Sequence, residues 1–219
     1  MRAGNDLGSG RIGVLVGRIA LPSMLAQFIS VLYSIVDRIF IGQIPGEGAL
    51  ALAGAGVCGP VVTMIGSAAS LIGVGGAPLM SMRMGEGETE QARRILANCF
   101  LMLCVLSVAL MALLAPIREP MLMLFGASEA TFPFAGAYFS AYLCGTPFAL
   151  LSTGMCQFII CQGFAGQAML SVVLGAVMNI VLDPVFIYVL DMGVTGAAVA
   201  TVISQVGSCA FVLAFLFGS

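Results

Sequence analysis

The sequence predicts an all-α integral membrane protein with six transmembrane helices, and three observations carry that prediction. Hydrophobic residues make up 60% of the chain and charged residues only 8%, where soluble domains are about one quarter charged. The apolar residues lie in long unbroken runs, not in the alternating segments of about 10 residues that mark a membrane barrel. Helices and closed barrels alone satisfy their backbone groups in lipid. At about 20 residues per span, and with loops subtracted, the chain has room for roughly six spans.

Composition also excludes several functions. The chain has eight Arg, no Lys and ten acidic residues, for a net charge of −2, so it offers no basic surface to nucleic acid and no acidic tail. His is absent, which removes His-based catalysis, and the Ser and Cys residues lack a base partner. The Gly pattern of the second span is no nucleotide loop, because no strand precedes it and no Lys follows. No enzymatic role and no cofactor are expected. The seven cysteines (Cys58, Cys99, Cys104, Cys144, Cys156, Cys161, Cys209) are odd in number, sit in apolar runs and form no CxxC pair, so they read as small packing residues. The first ten residues are polar, and the apolar run after them is too long for a signal-peptide core, so no segment reads as removable.

The first span is expected over residues 12–41, with a kink near Pro22, since proline removes a backbone donor and clashes with the preceding turn. Tyr33 and Asp37 are four apart, on one face of that helix. Asp37 is followed by Arg38, so an interfacial salt bridge is one reading of it. The second span, residues 48–82, carries Gly54, Gly56, Gly59, Gly66, Gly73, Gly75 and Gly76, read as packing positions. The polar stretch Ser81 to Arg94 lies in water, and the third span starts at Thr89 and ends near Ala115. Pro116 to Ser128 reads as an interfacial connection. The fourth span, residues 129–160, is crowded with Phe132, Phe134, Tyr138, Phe139, Tyr142 and Phe148, which read as packing, as an interfacial belt or as a substrate cage. The fifth and sixth spans are expected over 168–190 and 195–217.

The residue that stands out is Asp183, which has no charged neighbour within seven positions on either side. An acid at the centre of a membrane helix costs about 2.5–3.5 kcal/mol on insertion scales, and such residues usually mark an ion, proton or substrate path. Asn179 is one turn earlier on the same face. The bland alternative is that the two only bond one another or a neighbouring helix as packing glue.

Three stretches together resemble the multidrug and toxic compound extrusion (MATE) transporters, in particular the bacterial drug-efflux and DNA-damage-inducible branch. They are LYSIVDRIFIG within Pro22 to Gly42, with Gly48-Ala49-Leu50-Ala51 after it; SMRMGEGETEQARR within Pro78 to Arg94; and NIVLDPVFIYVLDMGVTGAAVATVISQ from Asn179 to Gln205. The resemblance implies one six-helix lobe, residues 1–219, of a twelve-helix transporter whose second lobe is absent from this chain. It further implies a cation or proton site built from Asp37, Asn179, Asp183 and Thr201, with Tyr33 beside it. Hard cations prefer such oxygen ligands, so Na⁺ could bind at these four residues, and two carboxylates held together could also take a proton. One departure is that Cys156, Ile160 and Gln162-Gly163 stand where relatives often carry Asn and Arg at the end of the fourth span.

The function implied is Na⁺- or H⁺-coupled export of amphipathic, often cationic, compounds across the cytoplasmic membrane. The expected partners are a small-molecule substrate, membrane lipid and a second six-helix lobe, with no nucleic acid and no cofactor beyond the coupling ion. A flippase for lipid-linked or polar metabolites and a non-transporting lobe that only oligomerises are the alternatives. Cytoplasmic loops collect positive residues. Arg2, Arg11, Arg18, Arg83, Arg93 and Arg94 share one side against Arg38 and Arg118 on the other, which puts the N-terminus in the cytoplasm. The ending at Gly218-Ser219, with no basic anchor, reads as a break in a longer polypeptide.

Overall fold

The computed structural model describes residues 12–218; Arg2 and Arg11, used above for orientation, lie outside them. Six helices form among the described residues: α1 (Ile12–Gly42), α2 (Gly48–Gly85), α3 (Thr89–Leu124), α4 (Phe132–Cys161), α5 (Ala165–Pro184) and α6 (Gly193–Phe217), with a π-helical turn at Val185–Val189 between the last two. All six are long and apolar enough to cross a membrane. No strand occurs among the described residues.

Two sequence expectations need correction. The third span does not stop at Ala115: α3 passes through Pro116 and Pro120 and continues to Leu124. The prolines are four apart, so their lost backbone bonds fall on one side and the other bonds carry the helix on. The real stop is Gly126, whose φ of +103° few other residues tolerate. There the Ala127 amide donates to the Leu122 carbonyl and the Gly126 amide to that of Met123, the pattern of a glycine C-cap. The fifth span is not one regular helix either. Pro184 cannot donate a backbone bond, and the chain beyond it widens into the π-helical turn, closed by the Leu190 amide on the Val185 carbonyl at 2.9 Å.

α4 is the centre of the bundle and packs against α2, α3 and α6. Its Phe139, Leu150, Met155, Phe158 and Ile159 are fully buried together with Val61, Ile65 and Met80 of α2 and Leu103 of α3. Lipid supplies no hydrophobic drive for helix association, so close approach through small residues matters more than apolar area. A Cβ on Gly73 would lie 2.7 Å from the Gly154 carbonyl oxygen, and one on Gly76 would lie 2.6 Å from Cys99 Sγ. Gly54 meets Phe134 and Ala135 of α4 in the same way. Gly56, Gly66 and Gly75 face open space, so only part of the Gly-rich second span is helix contact.

α1 is attached differently. It packs mainly against α5, with little contact to α2 and α6, and among the described residues Ile41 is its only fully buried apolar side chain. The helix is continuous through Pro22. Next to the proline, Ser23 Oγ donates to the Ile19 carbonyl at 2.9 Å, and both features favour bending of a helix at that point.

The contact at Gly73 is testable. Gly73→Ala should lower thermal stability by about 1–3 kcal/mol, because backbone of α4 blocks the added methyl, whereas Gly56→Ala should cost nothing measurable. Melting of the two purified variants in detergent compares them directly.

Candidate cation site between helices 1, 5 and 6

Every fourth residue of α5 from Ser171 is small or polar: Ser171, Gly175, Asn179 and Asp183 share one face. α6 presents Thr201, Ser204, Gln205 and Ser208 at helical spacing. Two bonds fix these faces against each other. Ser208 Oγ donates to the Ser171 carbonyl at 2.9 Å, and Asn179 Nδ2 donates to Thr201 Oγ1 at 3.3 Å. Gly175 permits the approach, since a Cβ there would collide with Ser208 Oγ.

Asp183 is fully buried and Asn179 is 1% exposed. The Asn179 amide also donates to Asp183 Oδ1 at 3.1 Å, so one NH₂ group serves both the acid and the threonine. Packing alone would be content with these bonds. They nevertheless leave Asn179 Oδ1 and Asp183 Oδ2 buried without any hydrogen-bond partner, and the same holds for Asp37 Oδ1 on α1 and Gln205 Oε1 on α6. Leaving a buried acceptor unpaired costs about 1–3 kcal/mol, and more for a charged group. These four oxygens sit on three helices, α1, α5 and α6.

Two cavities meet at this site. The smaller, about 140 Å³, is lined by Tyr33, Asp37, Arg38, Tyr138, Tyr142, Thr201 and Gln205 among others. The larger, about 260 Å³, is lined by Ser30, Tyr33, Asn179, Thr201, Ser204, Gln205 and Ser208 among others. Tyr33, Tyr142, Thr201 and Gln205 belong to both. Asp183 lines neither cavity and meets the site through the Asn179 amide. Tyr33, Asp37, Asn179 and Thr201 line these cavities, and Asp183 is joined to them through its bond with Asn179. Asp37 makes no ion pair with Arg38 among the described residues; the guanidinium extends toward Gly59, where a Cβ would come within 3.8 Å of Nη2.

Local structure holds the acids in register. Tyr188, carried by the π-helical turn just past Asp183, donates its hydroxyl to the Phe40 carbonyl at 2.7 Å and meets the Phe40 ring edge-on. That contact ties the end of α1, one turn beyond Asp37, to the end of α5. Gly196 lets α6 begin against the same turn, since a Cβ there would lie 2.6 Å from the Phe186 carbonyl oxygen.

The aromatic crowd of α4 divides. Phe139 is core, Tyr138 and Tyr142 stack with centroids 6.5 Å apart and line the small cavity, and Phe148 is 37% exposed. Cys156, at the position of the family departure, packs against α5 with Sγ 3.5 Å from Ser171 Oγ. Gln205 was not among the residues expected from the sequence. Its signal was the spacing of Thr201, Ser204, Gln205 and Ser208, four polar side chains on one face of an otherwise apolar helix.

The MatE family model matches residues 22–185. The chain belongs to that family. Members of the family are transporters, not enzymes. Among MATE relatives, a FAD transporter of Shewanella oneidensis is 28% identical over 208 residues, which cover 93% of this chain and 45% of that protein. The multidrug export protein MepA of Staphylococcus saprophyticus is 27% identical over 198 residues, 90% of this chain and 44% of that one. A MATE transporter solved in a bent conformation superposes with a TM-score of 0.88 at 30% identity, over 95% of this chain and 46% of its own. A MOP superfamily transporter from Pyrococcus furiosus superposes with a TM-score of 0.86 at 30% identity, over 93% and 44%. The chain therefore spans about half the length of the MATE proteins it matches.

Proposed function

We propose that this MATE lobe is the ion-binding half of a cation-coupled antiporter that exports amphipathic, often cationic, compounds from the cytoplasm. One observation carries the reading: four buried oxygens without partners, two of them carboxylate, belong to residues of α1, α5 and α6, three of which line the two adjoining cavities. The donor set is all oxygen, which suits a hard cation. In this reading Asp37 and Asp183 supply the charge. Asn179 and Thr201 supply neutral oxygens, and Tyr33 closes the neighbouring wall.

A ligand shifts a conformational equilibrium only by its differential affinity for the two states. Coupling therefore needs an element that moves when the ion binds. α1 fits that role, since it contributes one acid of the pair and has little buried packing to lose. A bend at Pro22 would bring Asp37 toward or away from Asp183. The substrate path is expected between this lobe and a second six-helix lobe, supplied by the same polypeptide or another chain.

Export of a polar metabolite is the second reading, supported by similarity to the FAD transporter. The acceptor-rich walls of both cavities favour a cationic guest over an anionic one.

The N-terminus is assigned to the cytoplasm of a multi-pass inner-membrane protein, because Arg18, Arg83, Arg93 and Arg94 gather at the α1 start and the α2–α3 connection. A cysteine placed at Glu88 in a chain stripped of its own exposed thiols should react with an impermeant maleimide only after the membrane is opened; reaction in intact cells would reverse the orientation.

The acid pair should behave as one unit in the full transporter. Asp37→Asn, Asp183→Asn and the double variant should all lose ion-driven export to a similar degree, because groups that share one ligand are not additive. Export rates at matched protein levels, under imposed Na⁺ and pH gradients, measure this. Full activity in Asp183→Asn, or single losses that multiply in the double variant, would exclude a shared site.

A further inference from the structure

Gln205 is the polar residue of the site that the ion reading does not yet use. Its Oε1 is buried and has no hydrogen-bond partner. It is one helical turn from Thr201, on the same face of α6, and it lines both cavities. Helix α4 comes close at Gly145, where a Cβ would lie 3.1 Å from Oε1. The glycine leaves room for the amide, and Tyr142, about one turn earlier on α4, hydrogen-bonds the Gln205 side chain while Oε1 stays unpaired.

The chemistry of this oxygen discriminates between ligands. An amide oxygen accepts hydrogen bonds or coordinates a cation, but unlike a carboxylate it is not a proton carrier. Asn179 and Gln205 together contribute two such oxygens beside the two acids. A single bound proton would satisfy two of the four oxygens, the one that carries it and the one that accepts from it. A single metal cation takes several oxygen ligands at once, so it can use acid and amide oxygens together. Charge agrees, because Asp37, Asp183 and the Arg38 guanidinium sum formally to −1 around the smaller cavity and its rear wall, which one monovalent cation neutralises.

We infer that Gln205 is an additional ligand of the cation site, its Oε1 joining Asp37, Asn179, Asp183 and Thr201 around one alkali cation where the two cavities meet. This rests on the proposed ion site and goes beyond it by adding a ligand from the next turn of α6.

The test is equilibrium binding of radioactive ²²Na⁺ to the purified chain in lipid nanodiscs, with melting in the absence of Na⁺ as the check on folding. Gln205→Met keeps length and removes the oxygen, and should weaken Na⁺ binding about tenfold. Gln205→Glu restores an oxygen at the same place and should bind within threefold of wild type or tighter. Ser152→Ala, elsewhere on the larger cavity, should leave binding unchanged. Binding by Gln205→Met within twofold of wild type would overturn the inference, and so would a Gln205→Glu as weak as Gln205→Met, which would make the loss structural. If Asp183→Asn abolishes binding while Gln205→Met does not, only the role of Gln205 fails. If wild type takes up protons but binds no Na⁺, or Asp183→Asn binds normally, the alkali-cation site itself is wrong.

Discussion

A fully buried carboxylate with one oxygen unpaired sets the terms for the rest of this molecule. Asp183 cannot reach water or a counterion on its own helix, and the single amide of Asn179 satisfies only its Oδ1. Its Oδ2 stays unpaired, and two neighbouring helices are held close to it. α6 is pressed against α5 through Gly175 and Ser208 so that Thr201 stands opposite Asn179. α1 is tied at its end by the Tyr188–Phe40 bond so that Asp37 faces the same space. The result is a cluster of buried acceptor oxygens on three helices, the feature on which the proposed cation site rests.

The packing divides the lobe into a firm part and a loose part. α2, α3, α4 and α6 share the large apolar core and the glycine contacts. α1 rests mainly on α5 and carries its apolar residues outward, among them Val14, Leu21, Met24, Phe28 and Leu32. Asp183 is on α5, which is hydrogen-bonded to α6 of the firm part, and Asp37 is on the loose helix. A ligand that bridges them links its own occupancy to the position of α1, which is the minimum that ion coupling requires. The π-helical turn after Pro184 lies at that junction, and turns of this kind are frequent at functional sites.

Much of this was legible in the chain itself. Hydropathy and length give six spans because lipid allows the backbone few alternatives, and the isolation of Asp183 in an apolar run singles it out. The four-residue spacing put Asn179 with Asp183 and Tyr33 with Asp37. What spacing within a helix could not supply was the pairing of faces between helices, and for that reason Gln205 went unnoticed although it stands one turn from Thr201. Proline misled in one place and was under-read in another. Pro116 looked like a terminus because helix-breaking is its usual effect in water, whereas in α3 the helix simply continued to a glycine stop. Pro184 was absorbed into a regular span, although it is where the ladder widens.

The central claim is that one cation sits between Asp37 and Asp183. Anomalous diffraction from crystals grown with Tl⁺ or Rb⁺ in place of Na⁺ tests it most directly, because either ion scatters strongly at a site that oxygen ligands define. The account predicts a single anomalous peak within coordination distance of both carboxylates and of Asn179 Oδ1, absent from Asp183→Asn crystals grown in the same salt. A lobe with no peak there, or a peak that persists when Asp183 is neutralised, would contradict it.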